Sequence, residues 1–351
     1  MRITIVLLIA LALLAAQQAP CMAQSAPRLT FAGAVNAYYS YSILEPPANV
    51  RAYSTQPARN GTIAIDLAML AAQWQTDRVD LRFAVQAGTW VDANYVLDDE
   101  GWKYVREANV QVNLDSVFFV TAGILPSNIG HESSVNAENM LLSRSLNADA
   151  TPYYMTGAGA IYVPSSSWRF AVYAVNGWQL IVDNNSQLSF ASVAEWMPSN
   201  ATTVSLRSYI GNDDSVGAAR LRIHNNAWID HRFGSTLRAV LMGDVSLLKN
   251  RTTDEFDVAW YGGLKGAWQF TDLFRLGGRV EIMSDPKNAL FRLGPPVEIV
   301  GFSAGLDVIP ADNLLVRLEV RSLNAAQAIF PSDDGLQSRD LFGTLAFSAT
   351  F

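Results

Sequence analysis

The sequence is poor in cysteine, histidine and charge, and each shortage excludes a class of protein. One cysteine in 351 residues excludes a disulfide scaffold, and three histidines leave little material for a histidine-rich metal site. Charged residues make up 16% of the chain, and the formal net charge is -7. Because binding to phosphates requires clustered cations, this balance excludes an electrostatic nucleic-acid binder.

Long apolar runs are also scarce. Beyond the N-terminal segment, no stretch reaches the roughly 18 consecutive apolar residues that indicate a membrane-spanning helix. Half of the residues (50%) are nevertheless hydrophobic, which is too apolar for a disordered chain. The apolar residues must therefore lie in a packed interior or on a surface that faces lipid.

Residues 1–23 have the organisation of a secretory signal peptide. A basic residue is followed by an apolar run, Ile3–Ala16, and Cys21 and Ala23 place small residues at the two positions that specify cleavage. The run is shorter than the roughly 20 residues of a membrane anchor. Acylation at Cys21 would require a branched apolar residue where Gln18 stands. We therefore expect cleavage after Ala23, which leaves a mature chain without cysteine.

Alternation with a period of two residues recurs along the mature chain. Apolar or small residues alternate with polar ones in 31–40, 79–86, 107–114 and 316–321. About 16 such segments of roughly 10 residues follow one another, and at a tilt near 45° each would span about 24 Å. This length is typical of the apolar band of an outer-membrane barrel.

The connections between these segments alternate between short and long. Short turns occur at 76–78, 115–116, 164–167, 198–200, 234–235, 271–272 and 310–313. Longer polar links lie at 42–61, 91–103, 126–152, 176–187, 212–218, 248–255, 284–296 and 322–339. The pattern predicts an all-β fold, a transmembrane antiparallel β-barrel of about 16 strands formed by residues 24–351 as a single domain, with both termini periplasmic.

Charged side chains fall on the polar face of the predicted strands. A lipid-facing Arg or Lys at the bilayer midplane costs about 2–4 kcal/mol, so a membrane would enforce this separation. Basic and acidic groups are nearly balanced on that face, whereas the loops are acidic, which predicts a weak preference for cations. The predicted pore-lining residues are Arg82, Arg169, Arg238, Asp244, Arg279, Glu281, Arg317, Glu319 and Arg321.

The longest link, residues 126–152, follows the fifth predicted strand. This is the position at which general porins fold a loop into the lumen to form a constriction. The candidate constriction residues are His131, Glu132, Glu138 and Arg144, of which the last three would face an arginine-bearing wall and set a transverse field. The alternative is an external loop without a special role.

Motifs for catalysis or cofactor binding lack the structural context that they need. Residues 301–305 match the G-x-S-x-G pattern of a nucleophile elbow, but the alternation continues through them instead of turning into a helix. His224 and His231 would point to opposite faces of one strand, so they do not share a metal. The sequence predicts no enzyme, no cofactor and no metal site.

The final segment is an alternating strand that closes with an aromatic residue, Phe351. It resembles the C-terminal signature by which outer-membrane proteins are recognised for assembly. Phe351 is therefore the candidate assembly signal, and the barrel-assembly machinery is the expected partner of this strand.

Four stretches resemble the OmpL-like β-barrel porin family of Gram-negative envelopes: Gly123–Glu132, Ala174–Trp178, Ala87–Asn94 and Asn313–Arg321. The resemblance implies an outer-membrane porin fold, contact with outer-membrane lipid and lipopolysaccharide, and the homotrimer that is usual for general porins. One departure is Asn225, a polar residue at an apolar-face position, which leaves the register of that strand open.

The sequence thus predicts an outer-membrane porin of a Gram-negative bacterium. Its water-filled channel would allow passive diffusion of ions and small hydrophilic solutes. Two alternatives stay open. One is a structural or adhesive barrel with a plugged lumen. The other is an outer-membrane barrel enzyme such as a lipase, which would need an outward Ser-His pair, and none is evident.

Overall fold

The computed structural model describes residues 26–212, 220–250, 252–291 and 294–351. Within these residues, sixteen antiparallel strands form a closed barrel in which the first strand pairs with the last. The prediction of an all-β antiparallel barrel is confirmed. The predicted signal peptide and its cleavage point lie outside the described residues.

The barrel strands are β1 (Arg28–Ser42), β2 (Thr62–Gln75), β3 (Val79–Ala87), β4 (Val105–Asn113), β5 (Phe118–Pro126), β6 (Tyr154–Ser165), β7 (Trp168–Val175), β8 (Ser189–Ser199), β9 (Thr202–Asn212), β10 (Leu221–Phe233), β11 (Leu237–Lys249), β12 (Phe256–Gln269), β13 (Phe274–Asp285), β14 (Val297–Ala311), β15 (Leu314–Ala325) and β18 (Arg339–Thr350). Two short strands, β16 (Phe330–Ser332) and β17 (Gly335–Gln337), pair with each other in the last long loop.

The period-two pattern of the sequence separates the two faces of the wall. In β1, Phe31 and Val35 are exposed on the outside, whereas Asn36 and Ser40 are buried on the inside. Strand β10 pairs continuously with β9 and β11, which resolves the register question. Asn225 is exposed on the outward face of this strand.

Short turns and long loops lie at opposite ends of the barrel, because consecutive strands are antiparallel. Seven short connections join β2 to β3 and the following alternate pairs up to β14 and β15. The long connections that matter below are loop 1 (43–61), loop 2 (88–104), loop 3 (127–153), loop 7 (286–296) and loop 8 (326–338).

Two short helices lie in these loops and were not predicted. Helix α1 (Thr89–Asn94) is in loop 2, and helix α2 (Leu146–Ala150) is in loop 3. Three single 3-10 turns occur at Pro47–Asn49, Trp102–Tyr104 and Asn136–Glu138. In the described part of the chain, no helix has the length and apolar character required to cross a membrane.

The barrel closes between β1 and the end of β18. The backbone N–H of Gly33 donates to the carbonyl of Phe351 at 3.1 Å, and the N–H of Phe351 donates back to Gly33 at 3.1 Å. The Phe351 ring lies over Gly33, where a Cβ would come within 2.2 Å of a ring carbon. Glycine at position 33 is therefore required by the close approach of the terminal ring.

The largest buried apolar cluster lies at the long-loop end. Tyr53 of loop 1 meets Phe291 of loop 7 and Phe330 at ring-centroid distances of 5.2 and 5.8 Å, both edge to face. Met140 and Leu146 of loop 3 belong to the same cluster. The long loops thus pack on one another inside the barrel mouth. The sequence analysis treated these links as polar and external and did not predict this packing.

Candidate functional site

Loop 3 crosses the lumen from β5 to the opposite wall. Near its start, the carbonyl of Gly130 accepts a hydrogen bond from Nη1 of Arg207 on β9 at 2.8 Å. The N–H of Gly130 donates to Oδ1 of Asn226 on β10 at 3.3 Å. His131 is within 3.0 Å of Asp230 on the same strand. The first turn of the loop is therefore fixed to β9 and β10.

Glu132 is the acidic residue of loop 3 that meets a basic wall. Its carboxylate is 2.8 Å from Nζ of Lys265 on β12 and 3.7 Å from Nη1 of Arg279 on β13. Burial alone would raise the pKa of Glu132, but Lys265 and Arg279 hold it well below its usual range. Ser145 donates to the same carboxylate through its N–H at 2.9 Å. Glu132 thus links both ends of loop 3 to the wall as an anion.

The middle of the loop is bound by arginines from β13 and β15. Arg317 donates to the carbonyl of Asn139 at 2.9 Å, and Arg279 donates to the carbonyl of Ser143 at 2.8 Å. Arg321 donates to the carbonyl of Arg144 at 2.6 Å. The side chains of these three wall arginines are completely buried. They bind the backbone of the loop, and two of them also bind its side chains: Arg317 donates to Oδ1 of Asn136 at 2.6 Å, and Arg279 donates to the Ser143 hydroxyl at 2.9 Å.

Two carboxylates of the same wall accept hydrogen bonds from loop N–H groups. Glu319 accepts from Ser143 at 3.0 Å, and Glu281 accepts from Leu146 at 2.8 Å. Glu281 also forms an ion pair with Arg321 at 2.7 Å. Because buried charges are costly unless they are paired and hydrogen-bonded, these contacts offset the burial of the wall charges.

Two other predicted residues have different surroundings. Asp244 accepts from Asn226 at 2.7 Å and lies 2.9 Å from Nε2 of His224, on the inward face of the barrel. Burial, together with the nearby charge of Lys265, lowers the pKa of His131 to about 4. His131 is therefore a neutral hydrogen-bonding residue at neutral pH.

Glu138 and Arg144 do not face the basic wall as expected. Glu138 is exposed and has no ion-pair partner within 4.0 Å among the residues that the structure describes. The Arg144 side chain is buried, and its guanidinium lies 5.2 Å from the ring centroid of Tyr153. Within the described ranges, its three nitrogens have no hydrogen-bond partner. Of the three predicted field-setting residues, Glu132 alone pairs with the wall.

Loop 1 covers loop 3 from the long-loop end. The Thr55 hydroxyl donates to Asp149 of α2 at 2.6 Å, and Gln56 donates to Asp66 of β2. The carbonyl of Gln56 accepts from the N–H of Arg144 at 3.3 Å. Burial raises the pKa of Asp149 to about 6. The inward position of loop 1 was missed, although its apolar residues such as Tyr53 are unusual for a purely external loop.

A cavity of about 360 Å³ lies along β2 to β7, between the wall and the beginning of loop 3. Its lining combines polar and apolar residues and consists of Gln73, Asp80, Arg82, Glu107, Asn109, Gln111, Thr121, Leu125, Pro126, Ser127, Asn128, Ile161 and Tyr173. We call this part of the lumen the open lane.

Four arginines near the short-turn end stay partly exposed to the lumen. Each forms an ion pair with a carboxylate of its own or a neighbouring strand, and the side-chain exposures lie between 22% and 38%. The pairs are Arg82–Glu107 (2.6 Å), Arg169–Glu195 (3.2 Å), Arg238–Asp230 (2.9 Å) and Arg275–Asp307 (2.7 Å).

Within the described ranges, no three His, Cys, Asp or Glu side chains are placed to hold a metal ion. The concentration of charge inside a closed barrel, with a long loop bonded across it, is the arrangement of a channel lumen.

The comparison with protein families gives the same result. Residues 28–351 match the OmpL-like β-barrel porin-2 family. The chain belongs to this family. It is an outer-membrane porin, a channel for solute diffusion in the Gram-negative envelope that contacts membrane lipid. No curated protein matches the chain.

Solved structures similar to this porin are also barrels. The anion-selective porin from Comamonas acidovorans has 9% sequence identity and a TM-score of 0.62, and the match covers 93% of this chain and 100% of that one. The outer-membrane channel DcaP of Acinetobacter baumannii has 11% identity and a TM-score of 0.62, with 93% and 97% covered. OmpT of Vibrio cholerae, in a trimer form, has 11% identity and a TM-score of 0.61, with 93% and 100% covered. At these identities the likeness concerns the fold alone.

All nine predicted pore-lining residues of this porin point into the barrel, but they fall into two groups. Six are buried, Arg279, Glu281, Arg317, Glu319 and Arg321 against loop 3 and Asp244 against β10, whereas Arg82, Arg169 and Arg238 line the accessible part. The prediction omitted Asp230, the partner of both His131 and Arg238. Alternation through Arg222, His224, Asn226 and Trp228 could have placed it on the inward face.

Proposed function

We propose that ions and small hydrophilic solutes cross this porin along the open lane. Loops 1 and 3 occupy the side of the lumen formed by β10 to β18, where the wall charges are buried. The open lane has polar residues and partly exposed charges in its lining, and it continues toward the four arginine pairs at the short-turn end. A polar, hydrated path of this kind is what passive diffusion requires.

The proposed orientation of the barrel in the membrane follows from the difference between its short turns and its long loops. We place the long loops outside the cell and both termini in the periplasm, as outer-membrane barrels with short periplasmic turns have them. In this arrangement residues 1–23 are a cleaved export signal, the end of β18 with Phe351 contacts the barrel-assembly machinery, and the long-loop rim meets lipopolysaccharide. Three copies would form a homotrimer, an assembly supported by the trimer form of the similar OmpT.

The pore is proposed to prefer cations weakly. In each of the four arginine pairs named above a carboxylate balances the arginine, so this part of the lumen is close to neutral. The long loops carry exposed acidic residues such as Glu100 and Asp254. An acidic entrance concentrates cations and repels anions before they reach the neutral lane.

The proposal includes no catalytic step, and one alternative is a plugged barrel. The observation that favours a plug is the apolar contact of Tyr53, Phe291 and Phe330 across the loop end. Such a cap would block the lumen if it extended over the open lane as well.

Planar-bilayer recording with the purified full-length protein decides between these functions. A porin gives stepwise conductance, and under a KCl gradient its reversal potential should have the sign of weak cation selectivity. Absence of steps would establish the plugged barrel. Steps with clear anion selectivity would support the channel and refute the proposed acidic entrance.

A further inference from the structure

Three polar side chains lie next to one another on the outward face of the barrel. Ser192 of β8 is opposite Ser208 of β9, and Ser208 is opposite Asn225 of β10. Asn225 is exposed and lies inside its strand, between the outward residues Ile223 and Ala227. The neighbouring outward positions in the middle of these strands, such as Ala194, Leu206 and Ile223, are apolar, so we call the three residues the outer polar patch.

The hydrogen-bonding groups of the outer polar patch are not all paired with one another. The Ser208 hydroxyl is 2.8 Å from Oδ1 of Asn225. Whichever way the carboxamide is turned, one of its ends is left without a protein partner among the described residues. Hydrocarbon chains offer neither donors nor acceptors, so this end is energetically unfavourable when it faces lipid.

A groove runs beside the patch. It has a volume of about 380 Å³, and its outward lining includes Asn225, Ala227, Gly243 and Trp260. Gly243 is opposite Ala227 and also opposite Gly262. A Cβ at Gly243 would meet nothing closer than 3.5 Å, and one at Gly262 nothing closer than 3.7 Å. Packing within the barrel therefore does not account for these two glycines.

We propose that this face is a contact between copies of the chain, with Asn225 next to the three-fold axis of the proposed homotrimer. A carboxamide donates and accepts at the same time, so Asn225 side chains that meet at the axis satisfy the ends that lipid leaves unpaired. The outward side chains of the patch and the groove carry no charge, so identical faces do not repel each other. Small residues beside polar ones allow the close approach that membrane-embedded interfaces use.

Cysteine cross-linking tests the contact. The mature chain expected after cleavage contains no cysteine, so Asn225→Cys would introduce a single thiol. Mild oxidation should convert most of this variant into a covalent dimer on non-reducing gels. The matched control is Leu70→Cys, an outward residue of β2 on the opposite wall that is 48% exposed, and it should stay uncross-linked. Cross-linking at position 70 and none at 225 would overturn the proposal.

The proposal rests on the association of copies proposed above, and sizing separates the two failures. Light scattering of the detergent-solubilised wild type reports the number of copies. An oligomer without a cross-link at 225 refutes this face alone, whereas a monomer refutes both. Gly243→Leu should fold, since a side chain fits there, and should shift the protein toward monomer. A folded Gly243→Leu variant with unchanged association would contradict the proposed contact.

Discussion

The two sides of the lumen carry the same residue types in different states. On β13 and β15, Arg279, Arg317 and Arg321 are completely buried and bound to loop 3. On β3 and β7, Arg82 and Arg169 have side-chain exposures of 38% and 28% and stay in contact with the lumen. An inward arginine therefore either supports loop 3 or lines the pore. Which of the two it does depends on whether loop 3 packs against it.

The largest effect is expected when an arginine of the covered side is removed. Arg317→Met removes one of the two arginines that pair with the buried Asp307, leaves Arg275 as its remaining partner, and frees the carbonyl of Asn139. Removing one partner of a buried charge costs about 3–5 kcal/mol, and because Arg275 remains we expect a loss toward the lower end of this range. Arg169→Met on the open side removes a partly exposed pair, worth about 0–1 kcal/mol.

The measurement is the temperature at which the folded barrel converts to the unfolded form on SDS gels. Arg317→Met should convert at a clearly lower temperature than wild type, and Arg169→Met should remain close to it. Equal shifts for the two variants would remove the distinction between the covered and the open side.

A second prediction concerns the volume of the open lane. Asn109→Trp places an indole in the cavity of about 360 Å³ and should reduce the single-channel conductance by roughly half. The control is the adjacent Val110→Trp, which points outward from the same strand. A normal conductance in Asn109→Trp would show that solutes take another path.

The smallest effect is a pH dependence on the covered side. The pKa of Asp149 is raised to about 6 from its usual 3.8, so the folded state disfavours its charged form. The Asp149 carboxyl group therefore contributes least to the free energy of unfolding above about pH 6. Its contribution is fully present only below about pH 4. Asp149→Asn keeps an acceptor for Thr55 and removes the dependence.

Compared with wild type, Asp149→Asn should be more stable at pH 7 by roughly 1–2 kcal/mol and nearly equal at pH 4. Denaturant titration in detergent at the two pH values measures the difference, and the contribution of His131 cancels because both proteins contain it. An advantage of the same size at both pH values would refute the raised pKa.

The barrel could be predicted because the sequence features that specify it involve residues that are close together in the chain. Alternation shows directly which residues of a strand face lipid, as Phe31 and Asn36 do, and the alternation of short and long links orders the strands. Asn225 was the departure from the pattern that the sequence showed in β10, and the structure keeps it on the outward face.

The division of the lumen could not be predicted, because it depends on the direction in which the loops fold. Alternation places Arg317 and Arg82 on the same inward face and contains nothing about what covers them. The position of loop 1 over loop 3 depends on contacts between distant residues, such as Thr55 with Asp149 and Tyr53 with Phe330. Only the aromatic residues in otherwise polar links gave a sign of this packing.

The binding of loop 3 through its backbone has an evolutionary consequence. Wall residues Arg207, Arg279, Arg317 and Arg321 all donate to loop carbonyls, and every amino acid supplies a carbonyl. Loop positions whose side chains do not contact the wall can therefore change without loss of these contacts. Substitutions of the four arginines, or of Glu132, Asn136 and Ser143, whose side chains also bind the wall, would remove contacts. A descendant of this porin could acquire a new solute preference by changing loop side chains such as Glu138, while the arginines that hold the loop backbone stay the same.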